Sequence, residues 1–395
     1  MTEREPMEHI VVVGAGMAGA RTVDELRLQG HTGRITLLGG EVHPPYDRPP
    51  LSKAVLLEDP PPDVTLQHDI SSAELIFGRP ALSLEDRVVI ADSGALPFDG
   101  LVIATGADPV RLPGPGEQHV LRTREDAEAL RARLLPGARV VVIGASWIGA
   151  EVAHAARTRG CAVSCVEAGP GPLHLALGAL GERTLPWWEG IDLRCNTGVS
   201  SVEDGGLALQ DGTFLDADVV VTGVGVRPAT GWLAGSGLPV DRGVIVDSGL
   251  RVELDREHPL RGRVVAVGDV AARWSPRYDR RLRIEHWDDA LSGPTVAASS
   301  LLGGDDVFDP LPYFWSDQLG HRLQSLGYRS DTDRLVLRED DVSWSAAWVS
   351  PEDVLTAVLA VDRPRDFAQA RRACGHTVDV EALADASVAV KDTVR

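Results

Sequence analysis

Apolar residues come in short unbroken runs that stop at glycine. His9-Ile-Val-Val-Val13 runs into Gly14, a helix-like stretch follows over residues 17–29, and a second strand is expected at Arg34–Leu38. Runs of this kind suit strands buried on both faces of a parallel sheet, and the stretch between them suits the crossover helix of a βαβ unit. The succession repeats further on. A strand from Arg139 runs into Gly144, a helix-like stretch follows, and strands are predicted at Ala162–Val166 and Val219–Thr222. Two further buried strands are predicted, one ending at Thr105-Gly106 and one, Val264-Val-Ala-Val267, ending at Gly268-Asp269. Helices are expected over residues 122–135 and 294–302.

The breaks between these runs divide the chain. Prolines at 44, 45, 49 and 50 argue against a regular helix or central strand over residues 41–53, so a rigid, shaped loop is expected there. Pro60-Pro-Pro62 reads as an exposed connector, and the prolines and glycines of residues 109–116 as a crossing between domains. After residue 311 the texture changes to aromatic and β-branched alternation, as in Ser343-Trp-Ser-Ala-Ala-Trp-Val349, which predicts antiparallel strands closed by a helix over 363–374. The expected fold is α/β, with two Rossmann-like dinucleotide-binding domains and a small α+β C-terminal domain. The first domain is discontinuous, residues 1–112 and 244–310; the second spans 113–243 and the third 311–395.

Composition narrows the function. A chain of 395 residues with 44% hydrophobic and 25% charged residues falls among globular proteins. No apolar run reaches the ~18–20 residues needed to span a bilayer. The first residues are polar and acidic without a signal-peptide core, so a cytoplasmic location is the default expectation. A net charge of −19 argues against nucleic acid or an anionic membrane as partner, because both need clustered cations. The four cysteines, at 161, 165, 195 and 374, are too scattered for a disulfide framework.

The glycine turns carry the chemistry. In Gly14-Ala-Gly16-Met-Ala18-Gly19 the first glycine permits a tight bend, the second lets backbone approach a pyrophosphate, and the third lets helix and sheet pack closely. The second turn, Gly144-Ala-Ser146-Trp147-Ile148-Gly149, has serine in the middle place. Its expected acid is Glu167, at a strand end, where a carboxylate accepts from both ribose hydroxyls and repels a 2′-phosphate; NADH is favoured over NADPH. In the first βαβ the acid arrives late, after Gly39-Gly40, and Glu41 is the candidate for the adenosine ribose. Two dinucleotide sites in one chain suggest electron transfer from one to the other.

Beyond these turns, an ordered set of segments runs through the chain: Pro45-Tyr-Asp-Arg48-Pro-Pro-Leu-Ser-Lys53, Ala104-Thr105-Gly106, Gly223-Val-Gly225-Val-Arg-Pro228, Gly268-Asp269, Glu285-His286-Trp287 and Tyr313-Phe-Trp-Ser-Asp-Gln318. With them the sequence resembles the FAD-dependent, NADH-linked ferredoxin reductases that serve cytochrome P450 and Rieske oxygenase systems, a branch of the glutathione-reductase-like flavoproteins.

The resemblance implies a non-covalent FAD in the first domain and NADH in the second. It implies that Asp269 bonds the ribityl or pyrophosphate part of FAD, that Trp287 lies against the isoalloxazine, and that Lys53 sits on the flavin N5/O4 side. Arg122 would approach the FAD phosphates or adenine, with Arg48, Ala81, Glu285 and His286 also on the FAD side and Gly225 on the NAD side. Glu151 would face the nicotinamide and pair with Lys53. Hydride would pass from NADH to the flavin, and electrons would leave singly to a ferredoxin-type iron–sulfur protein feeding an oxygenase.

Two rivals share the fold. A thiol-disulfide reductase or peroxidase needs a cysteine beside the flavin on the helix after the first glycine turn, and no cysteine precedes Cys161. An apoptosis-inducing-factor-like NADH-binding flavoprotein with a sensing or scaffold role would be expected to carry a targeting segment and generally basic surfaces, and the sequence shows neither. A local basic patch does occur, at Arg277, Arg280, Arg281 and Arg283, joined in the expectation by Arg322 and Arg329. It is the expected docking rim for an acidic ferredoxin.

Overall fold

Each glycine turn sits at the carboxyl end of a parallel sheet. The computed structural model describes residues 7–339 and 343–395, so the polar stretch 1–6 lies outside the described residues. The chain divides into two compact units. One takes the chain up to Asp47 together with Asp63–Asp108 and Val226–Pro310; the other takes Arg48–Pro62, Pro109–Gly225 and Leu311–Arg395.

In the first unit the sheet is parallel throughout, in the order Val264–Ala266, Gly100–Ile103, His9–Val13, Arg34–Leu38, Glu74–Ile76. Val12 lies opposite Leu37 on one side and Val102 on the other. All three are fully buried, as expected of strands covered on both faces. Helix Met17–Leu28 follows the first strand directly. A meander of three short strands, Ala81–Glu85, Val88–Ala91 and Gly94–Pro97, pairs antiparallel and leaves much of its surface to solvent.

The second unit repeats the theme with a parallel sheet in the order Asp192–Arg194, Ala162–Val166, Arg139–Ile143, Val219–Thr222. Its C-terminal part is a five-stranded antiparallel sheet, ordered Tyr313–Gln318, His321–Gly327, Leu355–Val361, Trp344–Val349, Arg334–Glu339, which buries Trp344, Trp348 and Leu359. Helix Pro364–Ala373 closes it.

Three elements differ from the sequence reading. The helix expected over 294–302 begins at Trp287 and runs to Leu301, with Pro294 inside it. A proline in a helix interior costs about 3 kcal/mol. Burial of the apolar side chains of Pro294, Ala297, Ala298 and Leu301 offsets that cost. The helix expected over 122–135 is shorter, Arg124–Arg133, because Thr123 and Asp126 form a capping box that fixes its start. Within the proline-rich loop Pro49–Ser52 forms a 3-10 turn, and just after the loop Ala54–Leu57 forms a single helical turn; the fixed φ of Pro49 and Pro50 suits a first turn, where their missing N–H groups are not needed.

Candidate functional site

The first turn shows which of its glycines the protein itself demands. Gly14 has φ +109°, and a Cβ there would lie 2.2 Å from the Ala104 carbonyl oxygen. A Cβ on Gly19 would lie 1.8 Å from the Gly14 carbonyl oxygen. Gly16 is different: a Cβ there would meet nothing within 4 Å. Its missing side chain leaves room in front of helix Met17–Leu28, whose N-cap makes no side-chain hydrogen bond. The first N–H groups and the positive end of the helix dipole are therefore not claimed by a capping side chain, which is the arrangement an incoming pyrophosphate needs. The residues present fit FAD.

Two other expected FAD segments, Thr105-Gly106 and Gly268-Asp269, lie against this turn, and the rest have partners of their own. Gly268 has φ +76°, and a Cβ there would come within 3.2 Å of the Ala18 Cβ, so the Gly268-Asp269 turn abuts the same helix start. Thr105 donates its hydroxyl to the Ala229 carbonyl at 2.8 Å, next to Gly106. Trp287 opens the long helix and donates its indole N–H to Asp47 at 2.7 Å. Glu285 is ion-paired with Arg283, and Glu41 accepts from the hydroxyl of buried Tyr46. Ala81 begins the exposed meander.

Burial holds His286 well below the usual histidine range, at about 4, with the charge of Asp269 opposing the shift. Burial pushes Asp289 up to about 6, with Arg273 opposing. The two act in opposite senses on stability. The contribution from His286 is present above pH 6.5, its unfolded value, and is lost as pH falls toward 4; that from Asp289 is present below 3.8 and is lost as pH rises through 6. Between pH 7 and 5 the His286 contribution should fall by about 2 kcal/mol. Urea unfolding of the apoprotein at both pH values should therefore show His286→Asn gaining about that much on the wild type as the pH drops. Parallel pH dependence of the two proteins would refute this.

The second turn is built on the same frame, with Gly144 at φ +95° and a Cβ on Gly149 meeting the Gly144 carbonyl oxygen at 1.9 Å. Ser146 adopts nearly the backbone conformation of Gly16, φ −86° and ψ −172°. Its hydroxyl turns inward, donating to the Gly223 carbonyl at 2.6 Å and accepting from the Gly149 N–H at 3.4 Å. Serine thus caps its own helix, Trp147–Thr158, at the place where Gly16 leaves room. Ile148 beside it is 40% exposed, and Gly225 lies at φ +108° with open space around it.

Glu167 does more than wait for a ribose. Its two oxygens accept from the Ala145 N–H at 2.8 Å and the Gly169 N–H at 2.7 Å, tying the turn to the end of strand Ala162–Val166. A carboxylate has about four acceptor positions, so capacity for ribose hydroxyls remains. The matching place after strand Arg34–Leu38 is Gly39, where a Cβ would lie 2.7 Å from the Ala15 Cβ. No acid fits there, which accounts for the late arrival of Glu41.

The most buried acid among the expected site residues is Glu151, 3% exposed on helix Trp147–Thr158. Its Oε2 accepts from Lys53 Nζ at 2.9 Å and from the Ser52 hydroxyl, and its Oε1 accepts from the Ser316 hydroxyl. The Lys53 pairing was expected; the two serines were not. Arg48 donates to the Arg122 carbonyl. Arg48, Lys53 and Arg122 all belong to the second unit, whereas the remaining expected FAD residues belong to the first.

The arginine patch is partly spent. Arg281 pairs with Glu253 at 2.6 Å and lies 6.0 Å from the Trp274 ring. Arg277 bonds Asp309 through its backbone N–H at 2.6 Å, and Arg280 is exposed on strand Arg280–Leu282. In the other unit Arg322 lies 3.6 Å from Asp317, and Arg329 stacks 5.4 Å from the Trp348 ring. Cys161 and Cys165 are buried in the second unit's core. Among the described residues no helix is long and apolar enough to cross a membrane, and no His/Cys/Asp/Glu group could hold a metal ion.

Residues 8–293 match the pyridine nucleotide-disulphide oxidoreductase family, and residues 313–394 match the reductase C-terminal domain. The chain is 36% identical, over 96% of its length and 98% of the relative's, to the ferredoxin–NAD(+) reductase component of an anthranilate 1,2-dioxygenase system from Burkholderia cepacia. It is similar to the crystal structure of Fdr9, with TM-score 0.91 and 51% identity over 97% of this chain and 99% of that one. It is also similar to a covalent putidaredoxin reductase–putidaredoxin complex, with TM-score 0.88 and 30% identity over 98% of each chain.

Proposed function

We infer that this chain, which belongs to the pyridine nucleotide-disulphide oxidoreductase family, is an NADH-dependent ferredoxin reductase that carries electrons through non-covalent FAD to a ferredoxin-type iron–sulfur protein serving an oxygenase. The observation that carries the reading is the pair of glycine turns at parallel strand ends, combined with relatives that are themselves reductases of ferredoxins. The absence of any cysteine before Cys161 separates it from thiol-disulfide chemistry at the first turn. A cytoplasmic site of action is part of the proposal.

When bound, FAD supplies the chemistry that side chains lack, accepting a hydride and releasing electrons singly. The space at Gly16 and the helix N–H groups behind it would receive its pyrophosphate, and Gly268-Asp269 would take the ribityl or pyrophosphate portion. Trp287, anchored on Asp47, would lie against the ring system. On the second unit, Ser146 and Gly149 would border the NADH pyrophosphate and Glu167 its adenosine ribose. Glu151 would hold Lys53 at the nicotinamide. The discontinuous domains at 1–112 with 244–310, 113–243 and 311–395, and the docking role of Arg277, Arg280 and Arg281, belong to the same proposal.

Stopped-flow spectroscopy of the FAD-loaded protein tests it. NADH should bleach the flavin at least ~10-fold faster than NADPH, by the charge on Glu167, and cytochrome c reduction should become fast only when a ferredoxin is added. A long-lived reduced complex with no ferredoxin-dependent turnover would sink the reading.

A further inference from the structure

The segment Tyr313-Phe-Trp-Ser-Asp-Gln318 joins the C-terminal sheet to the buried Glu151 carboxylate. It forms an edge strand of the C-terminal sheet, and its alternate residues Phe314, Ser316 and Gln318 share one face. All three meet the start of helix Trp147–Thr158. The Phe314 ring packs edge-on against Trp147 with centroids 4.6 Å apart. Gln318 Nε2 donates to the Trp147 carbonyl at 3.4 Å and to the Ser316 hydroxyl at 3.2 Å. Ser316 in turn donates to Glu151 Oε1. Ser316 and Gln318 are each 2% exposed, so water does not compete for these bonds.

The two oxygens of Glu151 therefore have separate duties. Oε1 is held by the C-terminal strand, and Oε2 is left to Lys53 and Ser52. Gln318 occupies an acceptor position on the Ser316 oxygen and so directs the hydroxyl proton toward Glu151. A carboxylate torsion is broad and roughly two-fold when nothing fixes it. We propose that Ser316, oriented by Gln318, is a positioning residue: it fixes the plane of the Glu151 carboxylate, and with it the Lys53 ammonium, for hydride transfer from NADH. The C-terminal domain thereby takes part in the reductive half of the reaction. This rests on the reductase reading above.

The test uses the FAD-loaded full chain in single-turnover reduction by NADH across pH. Ser316→Ala should be reduced about tenfold more slowly, the effect of losing one hydrogen bond to a charged group, with FAD content and NAD⁺ affinity unchanged. A carboxylate held by fewer donors takes up a proton more readily, so the acid limb of its rate–pH profile should move to higher pH. Ser316→Thr should restore both rate and limb. Gln318→Met should move the limb in the same direction by a smaller amount, and it carries the test if Ser316→Ala fails to retain FAD. An unmoved limb and undiminished rate in Ser316→Ala, or an unmoved limb in Gln318→Met, overturns the inference while leaving the reductase intact. A wild-type holoprotein that NADH does not reduce overturns the reductase reading and this inference with it.

Discussion

A Gly16→Val chain is expected to fold and to purify colourless. Nothing lies within 4 Å of the position a Cβ would take, and the backbone there is one any residue adopts. Apoprotein stability should stay within about 1 kcal/mol of the wild type, the usual span for an N-cap change. What the side chain would fill is the approach to the helix N–H groups. Loss of two hydrogen bonds to a phosphate, at about 1.5–3 kcal/mol each, predicts at least ~100-fold weaker FAD binding. Gly19→Ala should behave in the opposite way, because its methyl group would overlap the Gly14 carbonyl and force the helix off its strand. Flavin absorbance and apoprotein unfolding, measured on both variants, separate the two effects. Stoichiometric FAD in Gly16→Val would overturn the assignment of this turn.

Lys53→Met should be the costliest single change at the buried pair. Glu151 is 3% exposed and would keep only two hydroxyl donors against its charge. Removing one partner of a buried ion pair costs about 3–5 kcal/mol. The Lys53 side chain is 23% exposed, so the lower end of that range, about 3 kcal/mol, is expected. The double variant Lys53→Met/Glu151→Met carries no stranded charge and should regain most of the lost stability in urea unfolding. Neither variant should regain fast reduction by NADH, and a loss of at least ~100-fold is expected in both. If Lys53→Met proved as stable as the wild type, the pair would have no structural role. If the double variant were reduced at the wild-type rate, it would have no chemical one.

The parts of this fold that the sequence announces are those with buried, repetitive surroundings. His9–Val13 and Ala162–Val166 could be placed to the residue because strands covered on both faces are mostly apolar and each of these runs straight into a turn. The meanders at Ala81–Pro97 and Val199–Asp216 were not foreseen, since their outer strands are partly exposed and three to five residues long, and the apolar run Val88–Ala91 is only four residues. Pro294 marked a helix start where the helix has its middle, because tertiary burial outweighed a local preference.

The candidate site divides in the same way. Gly14, Gly16, Gly144 and Glu167 stand at fixed spacing along the chain and could be read there. Ser52, Ser316 and Asp47 acquire their roles from partners 99, 165 and 240 positions away, which leave no local trace. For Ser316 one signal was available: the alternation of Phe314, Ser316 and Gln318 along a strand puts two polar residues on the face that is buried.

The assignment of segments to units bears on how this protein can be taken apart or recombined. Five boundaries, at 47/48, 62/63, 108/109, 225/226 and 310/311, alternate the chain between the two units. No single cleavage or truncation point yields either unit whole. A chimera that borrows the second unit of a relative must import the Arg48–Pro62 insert and everything after Leu311 along with the central Pro109–Gly225 block. Exchange of the central block alone would set a foreign Glu151 against resident Lys53 and Ser316. If Glu167 borders the adenosine ribose as proposed, coenzyme preference is better altered by point changes around it than by trading modules.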